Sequence, residues 1–337
     1  MAFSVNIWSA LMTGRLKVQS IGQHPDTKQV SVVFEPPQMN PYGAPQPKVT
    51  GLNRRLRAKS LSAIRTYGAI TSDFRMSPDY FIIGTKRGGT TSLARWLLDH
   101  PGIRPLFPAK ETRKGTYFFD VNYDRGEAWY RSHFPTRRSH QLVELARRRN
   151  ILVGEATPYY LHHPHAATRA RAMVPDAKVI ALLRNPIERA HGHWAERFRQ
   201  GVEYLGFEDA LAAEPGRLAG EEERMIDDPS YVSFAHQHFS YADQGRYARG
   251  LMRWLNAYPS QNVLVLRAED LYADPMAVYL QVLRFLGLES HRPSELKAWN
   301  LKSKSPLSSD IREQLQDLLA PDIAQTEAVL GRSMDWI

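Results

Sequence analysis

The chain has 337 residues, 43% of them hydrophobic and 10% aromatic, which is the composition of a folded globular protein with one large domain or two modest ones. The absence of cysteine excludes disulfides, cysteine-ligated metal sites and catalysis by a thiol. The formal net charge of +9 favours anionic partners, namely nucleotides, acidic glycans, nucleic acid or an anionic membrane surface.

The N-terminal part, residues 1–77, is predicted to be an extension that precedes the main domain at residues 78–337. Residues 34–47 are rich in proline, glycine and glutamine, which predicts an irregular linker. Residues 52–67 could form a short basic helix, either a solvated arm or a helix that docks peripherally on a membrane or a partner. No stretch approaches about 18 uninterrupted apolar residues and no basic region precedes the first apolar ones, so we expect no membrane span and no secretory signal. Together with the lack of cysteine, this favours a cytoplasmic location.

The most informative segment is a loop between an apolar run at residues 81–83, which predicts a buried strand, and an amphipathic segment that predicts a helix. The loop combines two cations, two glycines and three hydroxyl side chains: Lys86, Arg87, Gly88, Gly89, Thr90, Thr91 and Ser92. Glycines let the backbone approach oxygens closely, and the first N–H groups of a helix have no partner within it. We therefore predict a phosphate or sulfate site; the alternative is an ordinary corner with surface cations. The loop is not a Walker A motif, because no lysine follows Gly89.

From residue 79 onward, apolar runs alternate with helical patterns. The predicted strands are 80–84, 151–155, 178–183 and 262–266, and the predicted helices are 91–99, 164–174, 186–200, 207–213, 244–257, 275–285 and 309–319. This alternation predicts an α/β fold in which a central, mainly parallel sheet lies between two layers of helices. Ligands of such sheets bind beyond the carboxyl ends of the strands, which is where the predicted anion-binding loop lies.

A second candidate anion-binding residue is Arg184, which directly follows the predicted strand 178–183. The Asn185-Pro186 pair predicts a turn into a new helix, because proline fits the first helical position. The planar guanidinium of Arg184 can hold a phosphate with two hydrogen bonds, although an arginine in this position could instead cap a neighbouring helix. Two anion-binding groups at one sheet edge predict a ligand with phosphates at two places.

These two segments, GTKRGGTTSL at residues 84–93 and LLRNPIERAHGHW at residues 182–194, resemble the cofactor signatures of the sulfotransferases, and in particular of the heparan-sulfate-type and bacterial branch of that family. Further segments resemble the family in the same order, so that the likeness covers about residues 78–337: TYFFDVNYDRGEAWYRSHFP (116–135), GEATPYYLHHP (154–164), YADQGRYARGLMRWL (241–255), VLVLRAEDLYADP (263–275) and LGRSMDW (330–336).

The resemblance implies a P-loop NTPase-like three-layer fold and the donor 3′-phosphoadenosine-5′-phosphosulfate (PAPS), used without a metal. The loop at residues 86–92 would hold the 5′-phosphosulfate, Arg184 would hold the 3′-phosphate, and a basic loop containing Lys302 would close over the nucleotide. The sulfuryl group would move to a hydroxyl or amine of a carbohydrate, a lipid or a small molecule.

The chain departs from the family at both signatures. Arg87 occupies the place where the family usually has a lysine; we expect it to stabilise charge, because a guanidinium with a pKa above ~12 does not readily give up a proton. Gly192 occupies the place of a serine that commonly binds the 3′-phosphate. Either the Gly192 N–H or a flanking histidine could replace the lost hydroxyl.

The residue that would activate the acceptor is also altered. Related enzymes use a glutamate just before an aromatic pair, here residues 118 and 119, and an ungapped match places Gly115 there. Glu111 fits this role only if the loop carries an insertion. His162 and His163 are further candidates, because histidine titrates near neutral pH, and of these we select His163 together with Glu111.

Two other functions fit parts of the sequence. One is a P-loop nucleotide or phosphate kinase, which would need a lysine after the glycines and an acidic metal ligand. The other is a non-catalytic protein of the same fold that binds acidic ligands. The sequence has no zinc-finger or RNP signature, so we expect no nucleic acid partner.

Overall fold

The structure is a computed structural model that describes residues 17–23, 30–35, 63–108, 114–297 and 306–337. The chain divides into two compact units, Met1–Pro47 and Lys48–Ile337. In the first unit, strands β1 (Lys17–Gln23) and β2 (Val30–Glu35) pair antiparallel. The predicted linker beyond residue 35 and the predicted basic helix up to residue 62 lie outside the described residues.

The second unit contains a five-stranded sheet with the order β4-β5-β3-β6-β7, in which each pair of neighbours is parallel. Its strands are β3 (Tyr80–Gly84), β4 (Ile103–Arg104), β5 (Leu152–Ala156), β6 (Lys178–Leu183) and β7 (Val263–Arg267). The parallel sheet predicted from the sequence is therefore confirmed, and the short β4 is an addition that the apolar pattern does not reveal. The central position of β3 places the end of this strand between the ends of β5 and β6.

Alternate residues of the strands build two hydrophobic cores, one on each face of the sheet. Phe81 and Ile83 of β3 belong to one core, and Tyr80 and Ile82 belong to the other. This division follows from the two-residue period of a strand. Because both faces are covered, β3 is buried along its whole length, which explains why its sequence is a continuous apolar run.

Helices cover both faces of the sheet, as predicted. They are α1 (residues 63–70), α2 (Thr90–Asp99), α3 (Gly126–Arg131), α4 (Arg137–Arg147), α5 (Ala166–Met173), α6 (Pro186–Arg199), α7 (Phe207–Leu218), α8 (Glu221–Asp227), α9 (Phe234–His238), α10 (Tyr247–Ala257), α11 (Ala268–Ala273), α12 (Pro275–Leu286) and α13 (Ser309–Leu330). Within the described ranges, none of these helices combines the length and the apolar composition that a membrane span requires.

Helix α13 is longer than the sequence pattern indicates. We predict its end at residue 319, before Pro321, yet it continues to Leu330. The buried residues Leu315, Leu319 and Ile323 follow one another at intervals of four, so the packed face of the helix runs past the proline. Burial of that face outweighs the local preference of proline to end a helix.

Candidate functional site

The predicted anion-binding loop leaves β3 at Gly84 and enters α2 at Thr90, and its backbone has the shape that such a site requires. Gly89 precedes the helix with a φ of 91°, and Arg87 has a φ of 70°, a region that residues with side chains rarely adopt. A Cβ atom on Gly88 would lie 2.7 Å from the carbonyl oxygen of Leu182, so the loop passes too close to β6 for any other residue. Helix α2 therefore begins beside the end of β6, and the start of a helix can bind an anion.

The structure brings Arg184 to this loop. Its guanidinium Nη1 donates a hydrogen bond of 3.1 Å to the carbonyl oxygen of Arg87. The backbone of Arg184 is fixed as well, because its carbonyl oxygen accepts a hydrogen bond of 2.7 Å from the hydroxyl of Tyr247. The next residue, Asn185, caps α6 by accepting hydrogen bonds from the N–H groups of Ile187 and Glu188. The two sequence-predicted anion-binding elements thus lie side by side, with Arg184 directed at the glycine loop rather than at a neighbouring helix end.

The side chain of Arg87 pairs with Glu196, a residue that the sequence analysis does not identify. The distance from Arg87 Nη1 to Glu196 Oε1 is 3.5 Å, and Arg197 Nη2 lies 3.5 Å from Oε2. Burial acts to raise the pKa of Glu196, but the charges of Arg197, Arg87, Lys86 and Lys114 outweigh it and hold the pKa below its ordinary value. Glu196 is therefore a charged carboxylate within a cluster of cations.

Helix geometry could have identified Glu196. It lies four residues after Gly192 and eight after Glu188, and this spacing places the three residues on one face of α6. Gly192 itself is buried inside the helix, where its N–H bonds along the helix axis. We conclude that Gly192 provides space at this position and that its N–H is not a free donor.

Lys86 extends away from Arg184. Its ammonium group donates to the carbonyl oxygen of Gln237 and lies 4.6 Å from the centre of the Tyr159 ring. Burial, reinforced by the charge of Arg197, places the pKa of Lys86 well below its ordinary value. This lysine therefore ties the loop to the segment that carries α9.

Lys114 is a second residue of the site that the sequence analysis misses. Its Nζ donates a hydrogen bond of 2.8 Å to the hydroxyl of Thr91, in the first turn of α2. Burial lowers the pKa of Lys114 to about 8, and the charge of Arg87 acts in the same direction. The residue comes from a different segment of the chain, so its contact with the loop has no local signature in the sequence.

The position that matches the family glutamate cannot hold a side chain in this backbone. A Cβ atom on Gly115 would lie 2.3 Å from the carbonyl oxygen of Ala156 and 2.4 Å from the hydroxyl of Thr157. Glu111 and Lys302, two of the residues predicted to act in the site, lie outside the described residues. Their roles stay predictions.

Asp120, directly after the aromatic pair, is a further carboxyl group near the site. Its Oδ1 accepts a hydrogen bond of 2.6 Å from the N–H of Val121, and its Oδ2 is buried with no hydrogen-bond partner among the described residues. Burial raises the pKa of Asp120 to about 7, although Lys86 opposes this. The residue lines a cavity of about 220 Å³ together with Tyr123 and Pro229.

His163 is placed less favourably for proton transfer. Its Nδ1 accepts a hydrogen bond of 3.2 Å from the N–H of His165, and burial lowers its pKa well below the ordinary value. Nδ1 is therefore occupied by this hydrogen bond and is not free to take a proton from a substrate hydroxyl or amine.

His162 and His236 form a stack in which the ring centres are 4.2 Å apart and the planes differ by 13°. Together with Asp243, they are the set of potential metal ligands found among the described residues. The lone pairs of each ring lie in the ring plane, and two nearly parallel planes do not meet at one ion; Asp243 also pairs with Arg249. This geometry favours a ring stack beside a carboxylate, in which His162 Nε2 lies 3.2 Å from Asp243 Oδ2.

Glu155, at the end of β5, has a structural role near the site. Its carboxylate accepts hydrogen bonds from the N–H and hydroxyl of Thr116 and from the hydroxyls of Tyr130 and Tyr160, at distances of 2.7 to 3.1 Å. These bonds fix the segment that carries Lys114 and the aromatic pair to the sheet.

Comparison with known proteins covers the part of the chain that contains this site. A family model described as a sulfotransferase domain matches residues 77–319. The chain is 31% identical over 258 residues to heparan sulfate glucosamine 3-O-sulfotransferase 6 of Mus musculus, which covers 74% of this chain and 62% of that protein. It is 24% identical over 348 residues to the membrane-associated sulfotransferase kil1 of Dictyostelium discoideum, which covers 84% of this chain and 71% of that protein.

Among solved structures, the chain is similar to a sulfotransferase from Alicyclobacillus acidocaldarius, with 28% sequence identity and a TM-score of 0.56. The match covers 77% of this chain and 99% of that chain. The likeness confirms the predicted P-loop NTPase-like arrangement of a central parallel sheet between layers of helices.

Proposed function

Because this chain belongs to the sulfotransferase family, we propose that it transfers the sulfuryl group of PAPS to a hydroxyl or amine of a carbohydrate, lipid or small-molecule acceptor. The observation that carries the proposal is the hydrogen bond from Arg184 to the backbone of the glycine loop at Arg87. This contact brings the two candidate anion-binding groups together at one sheet edge, which supports the proposal because a donor with phosphates at two places needs such a pair.

In this proposal the loop at residues 86–92 binds the 5′-phosphosulfate and Arg184 binds the 3′-phosphate. The first N–H groups of α2 and the hydroxyls of Thr90 and Thr91 supply donors without any metal. The close approach of Gly88 to β6 supports the assignment, because it shapes a cradle that a side chain would fill.

Catalysis would then rest on positioning and on stabilisation of charge. Sulfuryl transfer resembles phosphoryl transfer, in which the acceptor and the leaving oxygen lie in line with the transferred group. Negative charge grows on the leaving phosphate oxygen during the reaction. The N–H groups of α2 and the guanidinium of Arg87 would stabilise this charge in the transition state.

The acceptor also needs a base. Glu111 and His163 stay predictions from the sequence, and the occupied Nδ1 of His163 argues against that residue. We add Asp120, because its buried Oδ2 and its pKa of about 7 suit a group that takes a proton near neutral pH. The cavity beside Asp120 is then a candidate entry point for the acceptor.

The relatives suggest what the acceptor is. One relative is a heparan sulfate sulfotransferase and another is described as membrane-associated, so a glycan acceptor and a peripheral membrane contact through the basic N-terminal segment are both part of the proposal. The cytoplasmic location stays a prediction. No observation favours the kinase alternative, because Thr90 occupies the place of the Walker lysine.

The proposal is tested by calorimetric binding of adenosine 3′,5′-bisphosphate, the product of the donor, in buffer with EDTA. We expect binding without magnesium, and a roughly 10- to 100-fold loss of affinity for Arg184→Ala, because a charge-assisted contact to phosphate is removed. The matched control is Arg137→Ala, an exposed arginine at the start of α4. Absence of binding, or binding by Arg184→Ala equal to that of the control, would contradict the proposal.

A further inference from the structure

We propose that Lys114 is a catalytic residue of this sulfotransferase, one that binds the leaving phosphate of the donor with its ammonium group and can give that phosphate a proton. The inference rests on the proposed function and deepens it. It concerns a residue that lies outside both family signatures and that no part of the sequence pattern identifies.

The first support is the way the fold places the lysine. The carbonyl oxygen of Lys114 accepts a hydrogen bond of 2.7 Å from the N–H of Ala156, which ties the backbone to the end of β5. From there the side chain reaches across to the hydroxyl of Thr91 at 2.8 Å. Thr91 is the second residue of α2, so the ammonium group lies at the helix start where the 5′-phosphate is proposed to bind.

The second support is that, among the described residues, neither of the two cations of the loop itself is suited to give the leaving phosphate a proton. Arg87 is held by Glu196 at 3.5 Å, and a guanidinium does not release its proton at physiological pH. Lys86 is directed away, to the carbonyl oxygen of Gln237 and the face of Tyr159. Among the described lysines of the loop region, Lys114 alone contacts a hydroxyl in the first turn of α2.

The third support is the electrostatic setting of the ammonium group. Three charged groups face it: Arg87 from the loop, Arg95 from α2 and Glu196 from α6. Glu155 of β5 lines the same small cavity as Lys114. Burial and the two arginines favour the neutral amine while Glu196 favours the ammonium form, and an anionic ligand beside the group would add to the effect of Glu196.

The step can be written with its atoms in balance. The bond between sulfur and the phosphate oxygen breaks, the electron pair stays on that oxygen, and a new bond forms between sulfur and the acceptor oxygen or nitrogen. The acceptor proton goes to the base, and the Lys114 proton is shared with or moved to the leaving phosphate. Solvent then restores the proton to the amine after the bisphosphate departs.

The test counts the protons that are taken up when adenosine 3′,5′-bisphosphate binds. Calorimetry at pH 8.5 in two buffers of different ionisation enthalpy gives this number. The native protein should take up roughly 0.5 to 0.8 proton per bisphosphate, because the ligand raises the pKa of a lysine that is partly neutral at this pH. In Lys114→Arg the uptake should fall by at least half, since a guanidinium stays charged throughout.

Two controls separate this inference from the proposed function and from a folding defect. Lys178→Arg changes a lysine at the start of β6 that donates a hydrogen bond to the carbonyl oxygen of Phe285. The number of protons that this variant takes up on binding the bisphosphate should equal that of the native protein. The thermal unfolding midpoint of Lys114→Arg should match that of the native protein. Binding without proton uptake, or uptake that persists in Lys114→Arg, overturns the role of Lys114 and leaves the proposed function intact; no binding by the native protein overturns both.

Once a working acceptor is known, the pH profile of turnover gives an independent readout. Activity of the native protein should fall on the alkaline side as Lys114 loses its proton. Lys114→Arg should lose roughly 10- to 100-fold in kcat and should no longer show that alkaline decline. An unchanged profile in Lys114→Arg would overturn the assignment.

Discussion

At the scale of single residues, Glu196 would compete with the proposed donor for Arg87 of the loop. Its carboxylate lies 3.5 Å from the guanidinium groups of both Arg87 and Arg197. A phosphosulfate that binds Arg87 must either displace this carboxylate or accept its repulsion. Glu196→Gln should therefore bind adenosine 3′,5′-bisphosphate more tightly, by roughly 3- to 10-fold, because one nearby negative charge is removed.

The measurement is a calorimetric titration beside Glu127→Gln, which changes a carboxylate that pairs with Arg131 on α3. The control should leave the affinity unchanged. Weaker binding by Glu196→Gln would mean that the carboxylate organises the cations instead of opposing the ligand.

A second prediction at this scale concerns the pH dependence of stability. Burial raises the pKa of Asp120 to about 7, from an ordinary value of 3.8. The folded protein therefore binds the Asp120 proton more tightly than the unfolded chain, so this residue lowers the free energy of unfolding as pH rises from about 4 to about 7. Asp120→Asn keeps the acceptor for the Val121 N–H but cannot ionise.

The free energy of unfolding of Asp120→Asn, compared with that of the native protein, should thus increase by a few kcal/mol, at most about 4, between pH 4 and pH 7. Urea titrations across this range measure the difference. A constant difference between the two proteins would show that Asp120 has an ordinary pKa.

At the scale of elements, the C-terminal segment supports the turn that carries Arg184. The carbonyl oxygen of Trp336 accepts a hydrogen bond of 2.9 Å from Asn185, and its indole N–H donates to Glu269 at 3.2 Å. Glu269 in turn accepts the backbone N–H of Asn185 at 2.8 Å. The indole also packs against Tyr247, whose hydroxyl bonds to the carbonyl oxygen of Arg184.

Trp336→Ala should therefore lower the free energy of unfolding by about 3 to 5 kcal/mol, because removal of the indole leaves a cavity. It should also weaken bisphosphate binding, because the turn that carries Arg184 loses its support. Trp336→Phe retains an aromatic ring and loses only the indole N–H, so its effect should be nearer 1 to 2 kcal/mol. Urea unfolding and calorimetry give both quantities. Native affinity in a destabilised Trp336→Ala would show that the segment supports the fold without supporting the site.

The sequence predicts elements well where the chain carries a periodic apolar pattern. The strands β3, β5, β6 and β7 are all predicted, because each carries a short apolar run. In β3 and β6 this run reflects burial on both faces of the sheet, whereas β7 lies at the edge of the sheet and is only partly buried. Short helices such as α3 and α9 are not predicted, because 6 and 5 residues are too few for a helical period to show. Helix α4 has 11 residues and is also not predicted, because His140 is its only fully buried residue and the helix has no apolar stripe. Helix α13 continues past its predicted end because the proline signal is local, whereas the packed face that overrides it extends along the helix.

The same distinction applies to the site. The glycine loop and Arg184 were predictable, since each is defined by its own neighbours in the chain and by a strand that ends before it. Lys114 was not, because its significance comes from a contact with Thr91, far away in sequence, and no local pattern identifies it. Glu196 lies between these cases: its spacing along α6 places it on the face of Gly192, but its contact with Arg87 joins residues far apart in sequence.

At the scale of the whole molecule, the order of the strands assembles the site. Because β3 lies between β5 and β6, its loop meets Arg184 after β6 on one side and Lys114, anchored to β5, on the other. Three segments that are separated along the chain thus deliver cations to one sheet edge. This explains how a chain with a net charge of +9 can concentrate positive charge at a single site.

The boundaries of the folded unit lead to a final prediction. The family model starts at residue 77, but the second compact unit starts at Lys48. Arg75 is fully buried, donates to the carbonyl oxygen of Phe134 at 2.5 Å and lies over the ring of Phe107, and the N–H of Met76 donates to Pro135. The residues just before 77 therefore belong to the same packed unit as the site.

Removal of residues 1–47 should leave bisphosphate binding within about twofold of the native value and should preserve the ligand-induced rise in thermal midpoint. Removal of residues 1–76 should instead lower the free energy of unfolding by several kcal/mol, because it leaves buried partners of Arg75 without hydrogen bonds. Thermal melts of both truncated proteins with and without adenosine 3′,5′-bisphosphate distinguish the two cases. Equal stability of the two truncated proteins would place the boundary of the folded unit at residue 77.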